Sequence, residues 1–175
     1  MYKIELEGNN YEMPAGWDEV NLKQMLLINN IVTNEYRSHI YLMIDLISAL
    51  SGIDKEILYE LDINELSKFD FSWISTTIEK KLLNEIEISG VKYKLVNDMK
   101  HLKLGEYADL DYYMKDLTNN LHYIVGILLR PEVDGKVEKY NSDTLEERSK
   151  IFYDNLKVDF VMGIVDFFQN GVNGS

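Results

Sequence analysis

Glu85-Ile86-Glu87-Ile88-Ser89-Gly90-Val91-Lys92-Tyr93-Lys94-Leu95 alternates apolar and polar side chains on both sides of a glycine. A period of two marks a strand with one buried face, and Gly90-Val91 reads as the two-residue turn of a hairpin. This stretch decides the fold because it occurs twice. Residues 3–13, Lys-Ile-Glu-Leu-Glu-Gly-Asn-Asn-Tyr-Glu-Met, repeat it around Gly8-Asn9. Ile4 and Leu6 share one face of the first strand, and Tyr11 and Met13 share one face of the second. Glycine supplies the positive φ that a type II′ turn demands. At a constant offset of 82, Ile4, Glu5, Gly8, Tyr11 and Leu22 fall on Ile86, Glu87, Gly90, Tyr93 and Leu104. Leu6, Met13, Val20 and Ile28 fall on Ile88, Leu95, Leu102 and Leu110, which keeps those positions apolar.

Helices follow each hairpin. Asn21 and Gln24 have the spacing of a capping box, with an apolar face behind them to about Val32. Ile40, Met43, Ile44, Ile47 and Leu50 predict a second helix over 35–50, stopped by Gly52. Asp54 caps a short helix through Leu61. Asp62-Ile-Asn-Glu65 opens another, which the aromatic run to Ile78 predicts to be buried on much of its circumference. In the second half, helices are expected over 105–114 and 116–129, the latter stopped by Pro131. A polar loop spans 132–141. Ser142 or Asp143 then caps a helix to about Tyr153, with Asp143-Thr-Leu-Glu146 as its box, and a last helix runs over 158–168.

The expected fold is therefore α+β and mainly helical, two β-hairpins each followed by helices. An internal duplication with pseudo-twofold symmetry is one reading of the repeat; one α+β domain that uses a hairpin twice is the other. The halves would be 1–84 and 85–169, packed as one compact domain, with 170–175 a flexible tail.

Charge narrows the function. The 175 residues hold 18 Lys and Arg against 30 Asp and Glu, a net charge of −12. Residues 1–84 carry 7 basic and 14 acidic side chains, and 85–175 carry 11 and 16, so acidity reads as a property of the whole surface. Phosphate binding needs cations that displace counterions, so direct nucleic-acid binding is not expected. With 46% hydrophobic residues the chain can bury a core, which excludes wholesale disorder. No apolar run reaches the roughly 18–20 residues that span a bilayer. No basic stretch leads into an apolar one at the N-terminus, so no secretory signal is expected. Without cysteine there is neither a disulfide nor a thiolate metal site.

Catalytic, cofactor and metal residues are not expected. His39, His101 and His122 are scattered, where a metal site wants two His one helical turn apart. Glu106, Asp109, Asp111 and Asp116 form the densest carboxylate group, and Glu106 with Asp109 have the i, i+3 spacing of paired acids or ligands. A solvated helical face, with Glu106 in the first turn favoured by the helix dipole, is the reading preferred. Arg130 before Pro131 suits the negative end of a helix dipole. No Gly-x-x-x-x-Gly-Lys or Gly-x-Ser-x-Gly occurs.

The aromatic residues carry more. Among 12 Tyr, 6 Phe and 2 Trp, several crowd onto single helices beyond what one face can bury. Tyrosine, apolar with a polar tip, favours interfaces. Trp73, Tyr107, Tyr112 and Tyr113 are the candidate interaction residues, on a chain expected to be non-enzymatic.

The order from Glu85 to Pro131 resembles small acidic proteins of tailed bacteriophages. It runs through the hairpin, Leu104-Gly-Glu-Tyr-Ala-Asp-Leu110 at a helix start, and His122-Tyr-Ile-Val-Gly-Ile-Leu-Leu-Arg-Pro131. The similarity is to tail assembly chaperone-like and related virion morphogenesis proteins. Leu46-Ile-Ser-Ala-Leu-Ser-Gly-Ile-Asp-Lys-Glu-Ile-Leu58 resembles a turn seen in them. The resemblance covers 46–131, and Lys103 stands where the pattern often has a Thr cap. It implies no enzyme activity and no cofactor, but binding to phage tail, neck or capsid proteins, with a homo-oligomer compatible. It places the chain in the host cytoplasm during assembly or retained in the virion. The alternative function is an acidic inhibitor that mimics nucleic acid to block a host nucleic-acid enzyme; a scaffold domain in a cellular complex is a third.

Overall fold

The computed structural model describes residues 1–96 and 102–173, and for 170–173 the backbone alone. The chain is α+β and divides into two compact units, Met1–Glu79 and Lys80–Ser175. Among the described residues no helix is long and apolar enough to cross a membrane.

In unit 1, β1 (Tyr2–Leu6) and β2 (Asn9–Met13) form a two-stranded antiparallel sheet, with Ile4 opposite Tyr11 and Leu6 opposite Asn9. That register puts the turn at Glu7-Gly8, not at Gly8-Asn9, with φ of +50° and +78°. Positive φ at both central residues is type I′ rather than the expected II′, and its twist matches that of the strands. α1 (Leu22–Val32) starts with the expected box: Asn21 Oδ1 accepts the Gln24 N–H at 2.8 Å, and Gln24 Oε1 accepts the Asn21 N–H at 3.0 Å. α2 (His39–Ser51) is capped by Ser38 and ends on Gly52 at φ +78°. α3 (Lys55–Tyr59) and the single turn α4 (Ile63–Leu66) follow. Met13, Leu22, Ile28, Ile47, Ile53 and Leu58 fill the core.

The long helix expected over 62–78 does not form. The backbone leaves α4 after Leu66, and only a 3-10 turn at Ser72–Ser75 follows. Asp70 is the reason. Its carboxylate accepts both the Ser72 N–H (2.8 Å) and hydroxyl (2.9 Å), a local bonding pattern that competes with helix. Those same bonds hold its carboxyl below the usual carboxylate range. The Asp70 N–H is taken by the Tyr2 hydroxyl at 3.2 Å. Phe69 and Trp73 then find separate edge-to-face partners in Tyr2 and Trp17.

In unit 2, β3 (Glu85–Ile88) and β4 (Val91–Leu95) turn at Ser89-Gly90, again with φ positive at both residues. α5 (Leu104–Met114) and α6 (Leu117–Leu128) follow. The next element differs from expectation. Leu129 to Pro131 belong to a strand, β5 (Leu129–Val133), which pairs with β4 through Tyr93–Pro131 and Leu95–Leu129. Proline disfavours helix at the residue before it, so Arg130 is pushed to extended backbone and α6 runs straight into the sheet. Asp134-Gly135 then makes a third turn with two positive φ values, and β6 (Lys136–Val137) lies within the stretch expected as loop. The sheet order is β3-β4-β5-β6. A 3-10 turn (Ser142–Thr144) capped by Asn141, not Asp143, leads into α7 (Leu145–Asn155). α8 (Val158–Asn173) continues past residue 169, where the flexible tail was expected.

Residues 80–84 therefore belong with the second hairpin. The Lys81 N–H donates to the Asp159 carbonyl at 3.0 Å, its ammonium pairs with the Asp159 carboxylate at 2.9 Å, and Lys80 pairs with Asp166. Redrawn at this boundary, unit 1 holds 14 acidic and 5 basic residues, a net −9; unit 2 holds 16 and 13, a net −3. The acidity is thus concentrated in unit 1, contrary to the even spread read from the sequence halves.

At the offset of 82, the first turn, β2 and α1 coincide with the second turn, β4 and α5. Beyond α5 the units diverge, since unit 2 adds β5 and β6.

Candidate interaction surface

The candidate residues fall into two groups once placed. Tyr107 and Tyr112 are 57% and 64% exposed on α5. Tyr113, on the same helix, is half-buried and stacked on Tyr123 with ring centroids 4.4 Å apart. Burial raises the Tyr113 phenol pKa. Trp73 is half-buried in unit 1, edge-on to Trp17 at 5.1 Å, with its indole N–H enclosed and without a partner. Tyr107, Tyr112 and Tyr113 are thus brought onto one element; Trp73 is in the other unit.

The inner face of α5 is held by polar contacts that sequence spacing alone leaves open. Lys103 cannot accept a hydrogen bond as a cap, so Glu106 supplies the half-box, accepting the Lys103 N–H at 2.9 Å. Glu106 is not on a solvated face. It is 4% exposed and paired with Arg130 at 3.2 Å, and Arg130 sits in β5, not at a helix end. Asp109 accepts from the Tyr140 hydroxyl, whose pKa burial and that carboxylate both raise. The Tyr140 ring lies 5.7 Å from the Arg130 guanidinium. Arg148 on α7 is also buried and donates to the Gly126 carbonyl at 2.8 Å; desolvation, then the nearby Arg130, lowers its pKa. Asp111 faces outward beside Lys115, and Asp116 caps α6. The four carboxylates therefore do four different jobs. Among the described residues no three His, Asp or Glu side chains come close enough to share a metal ion.

His39 is exposed at the start of α2. His122 is half-buried between the rings of Tyr123 and Tyr153, and burial lowers its pKa. His101 lies outside the described residues.

The outer face of α5 carries Leu104, Tyr107, Ala108, Asp111 and Tyr112, spaced along one side of the helix. Leu104 is 85% exposed. Its counterpart at the offset of 82, Leu22, is fully buried, and Met25, the counterpart of Tyr107, is 5% exposed. The third matched pair, Ile28 and Leu110, is buried in both units. The face that unit 1 covers is open in unit 2. Apolar periodicity marks Leu104 as core; the signal that separates it from Leu22 is tertiary. Beside this stripe, Tyr112, Tyr113, Lys115, Asp116, Asn120 and Tyr123 line an open cleft of about 480 Å³. Its walls offer aromatic faces, polar tips and the charges of Lys115 and Asp116.

Comparison with known proteins finds no family model, no curated protein and no solved structure that matches this chain.

Proposed function

We propose that this chain is a non-enzymatic protein-binding module that serves the assembly of a larger particle. The context is the one its resemblance to phage morphogenesis proteins implies. The observation that carries the reading is the exposure of Leu104 and Tyr107 at positions whose repeat-matched residues are core. Covering such side chains is worth roughly 1.5–3 kcal/mol each, enough to favour a partner when several are buried together. A helix clamped on its inner side by Glu106, Asp109 and Leu110 presents that stripe with little ordering cost. The partner expected is a tail, neck or capsid protein, met in the host cytoplasm or within the virion.

The test is a tagged pull-down from the native source lysate, read by mass spectrometry. Recovery of virion structural proteins is expected, falling at least about tenfold for Leu104→Ser/Tyr107→Ser with the melting curve unchanged. Recovery unaffected by that double variant removes the stripe from the reading.

The net −9 of unit 1 favours a second reading, an acidic inhibitor of a nucleic-acid enzyme. Capture of a host nuclease in competition with DNA, and steeply weakened by salt, would replace assembly with inhibition.

A further inference from the structure

Unit 1 has an unpartnered apolar surface of its own. The start of α2, with α3 and α4, frames a groove of about 360 Å³. Leu58 and Leu66 lie buried at its base. Ile40, Tyr41, Tyr59 and Ile63 form its walls and are 39%, 47%, 52% and 61% exposed. Tyr41 and Tyr59 meet edge-on across it at 6.4 Å. The groove is braced by Asp45, which pairs with Lys55 at 2.6 Å and accepts the Tyr36 hydroxyl at 2.9 Å.

Charge and backbone chemistry say what fits. Glu56 and Glu60, exposed on and beside α3, pair with no cation among the described residues. Of the basic residues of the same segment, Lys55 and Lys68 are taken by Asp45 and Glu65, and Arg37 adjoins the lining at Ser38. Glu60, between the lining residues Tyr59 and Leu61, and Glu56, one turn before it, give the apolar floor an acidic margin that Arg37 offsets only in part. The lining contains no strand. With no sheet edge to pair with, strand addition is ruled out, and a helix, which satisfies its own backbone hydrogen bonds, suits the lining. A second copy of the chain would bring the same net −9 against that margin.

We propose, resting on the protein-binding reading, that the α2–α3–α4 groove receives an amphipathic helix of a partner protein whose apolar face is flanked by Lys or Arg. The probe is a fluorescent synthetic peptide of about 15 residues, with Leu at i, i+3, i+4 and i+7 and Lys on the flanks. A control replaces each Lys by Glu. Anisotropy with the full chain is expected to show at least a tenfold preference for the basic peptide, shrinking as salt rises. Ile63→Asp should abolish binding, whereas Val133→Ser, at an exposed position of unit 2, should leave it unchanged. Glu56→Lys/Glu60→Lys should reverse the preference, which a merely misfolded variant would not do. Equal binding of both peptides, or binding indifferent to Ile63→Asp, overturns the proposal. So does self-association that Ile63→Asp dissolves, because the groove then belongs to a second copy. The two readings also fail separately. Capture of a structural protein without peptide binding sinks the groove alone. Peptide binding at the groove without any captured structural protein sinks the assembly role alone.

Discussion

Gly163 lies on α8 where the Lys81 carbonyl crosses it, and a Cβ there would clash with that oxygen. Backbone cannot swing aside as a side chain can. Gly163→Ala should therefore cost at least ~1–3 kcal/mol in urea denaturation, despite alanine's better helix propensity. At Gly126 the obstructing atoms are the Ser149 hydroxyl and a Leu145 methyl, so Gly126→Ala should cost less. Glu106→Ala leaves Arg130 buried without its carboxylate and should cost about 3–5 kcal/mol; Glu106→Gln, which still accepts the Lys103 N–H, should cost less. His122 adds a pH dependence. Its native pKa lies below the unfolded value near 6.5, so the unfolded chain binds the proton first as pH falls. Its contribution is complete above about pH 6.5 and is lost as pH drops toward the native pKa. Urea midpoints measured down to about pH 5 should fall for the wild type and fall less for His122→Gln. None of these partners is visible in the sequence. Glu106 and Arg130 are separated by 23 intervening residues, and which acid turns inward depends on how α5 is rotated against β5.

Elements whose signals are local were legible. The capping box at Asn21 and Gln24, the stop at Gly52 and both hairpins follow from spacing and from glycine, because the contacts that define them lie within a few residues. The turns show the limit of that reading. Glycine announces a hairpin, but the cross-strand register decides which residue precedes it in the turn, here Glu7 and Ser89 at φ near +50°. Asparagine tolerates that conformation better, so Ser89→Asn should raise the melting temperature slightly, by a few tenths of a kcal/mol in stability. In the misread elements a local signal, Pro131 or the Asp70–Ser72 bonds, acts together with a distant partner. β5 exists because β4 accepts it, and the absent helix after α4 reflects Tyr2 taking the Asp70 N–H from the far end of unit 1.

At the scale of the whole molecule, each unit carries its own core, with Phe152, Ile124, Leu128 and Ile164 among the buried residues of unit 2. Residues 80–175 expressed alone should accordingly unfold cooperatively by circular dichroism, whereas a fragment beginning at 85 should be less stable for want of Lys80 and Lys81 on α8. Moving the boundary from 84/85 to 79/80 carries Lys80 and Lys81 into unit 2, so unit 1 goes from −7 to −9 and the negative field concentrates there. By itself the sequence determined the α+β class, the two hairpins, most helices and the lack of any familiar catalytic spacing, since these depend on periodicity and on neighbours in the chain. Tertiary structure alone decided that Leu104 and Tyr107 face outward while Leu22 and Met25 are core, and that Ile63 walls a groove. Burial is a property of what packs against a side chain, and an apolar residue written in the sequence is the same letter whether a neighbour covers it or a partner is still to come.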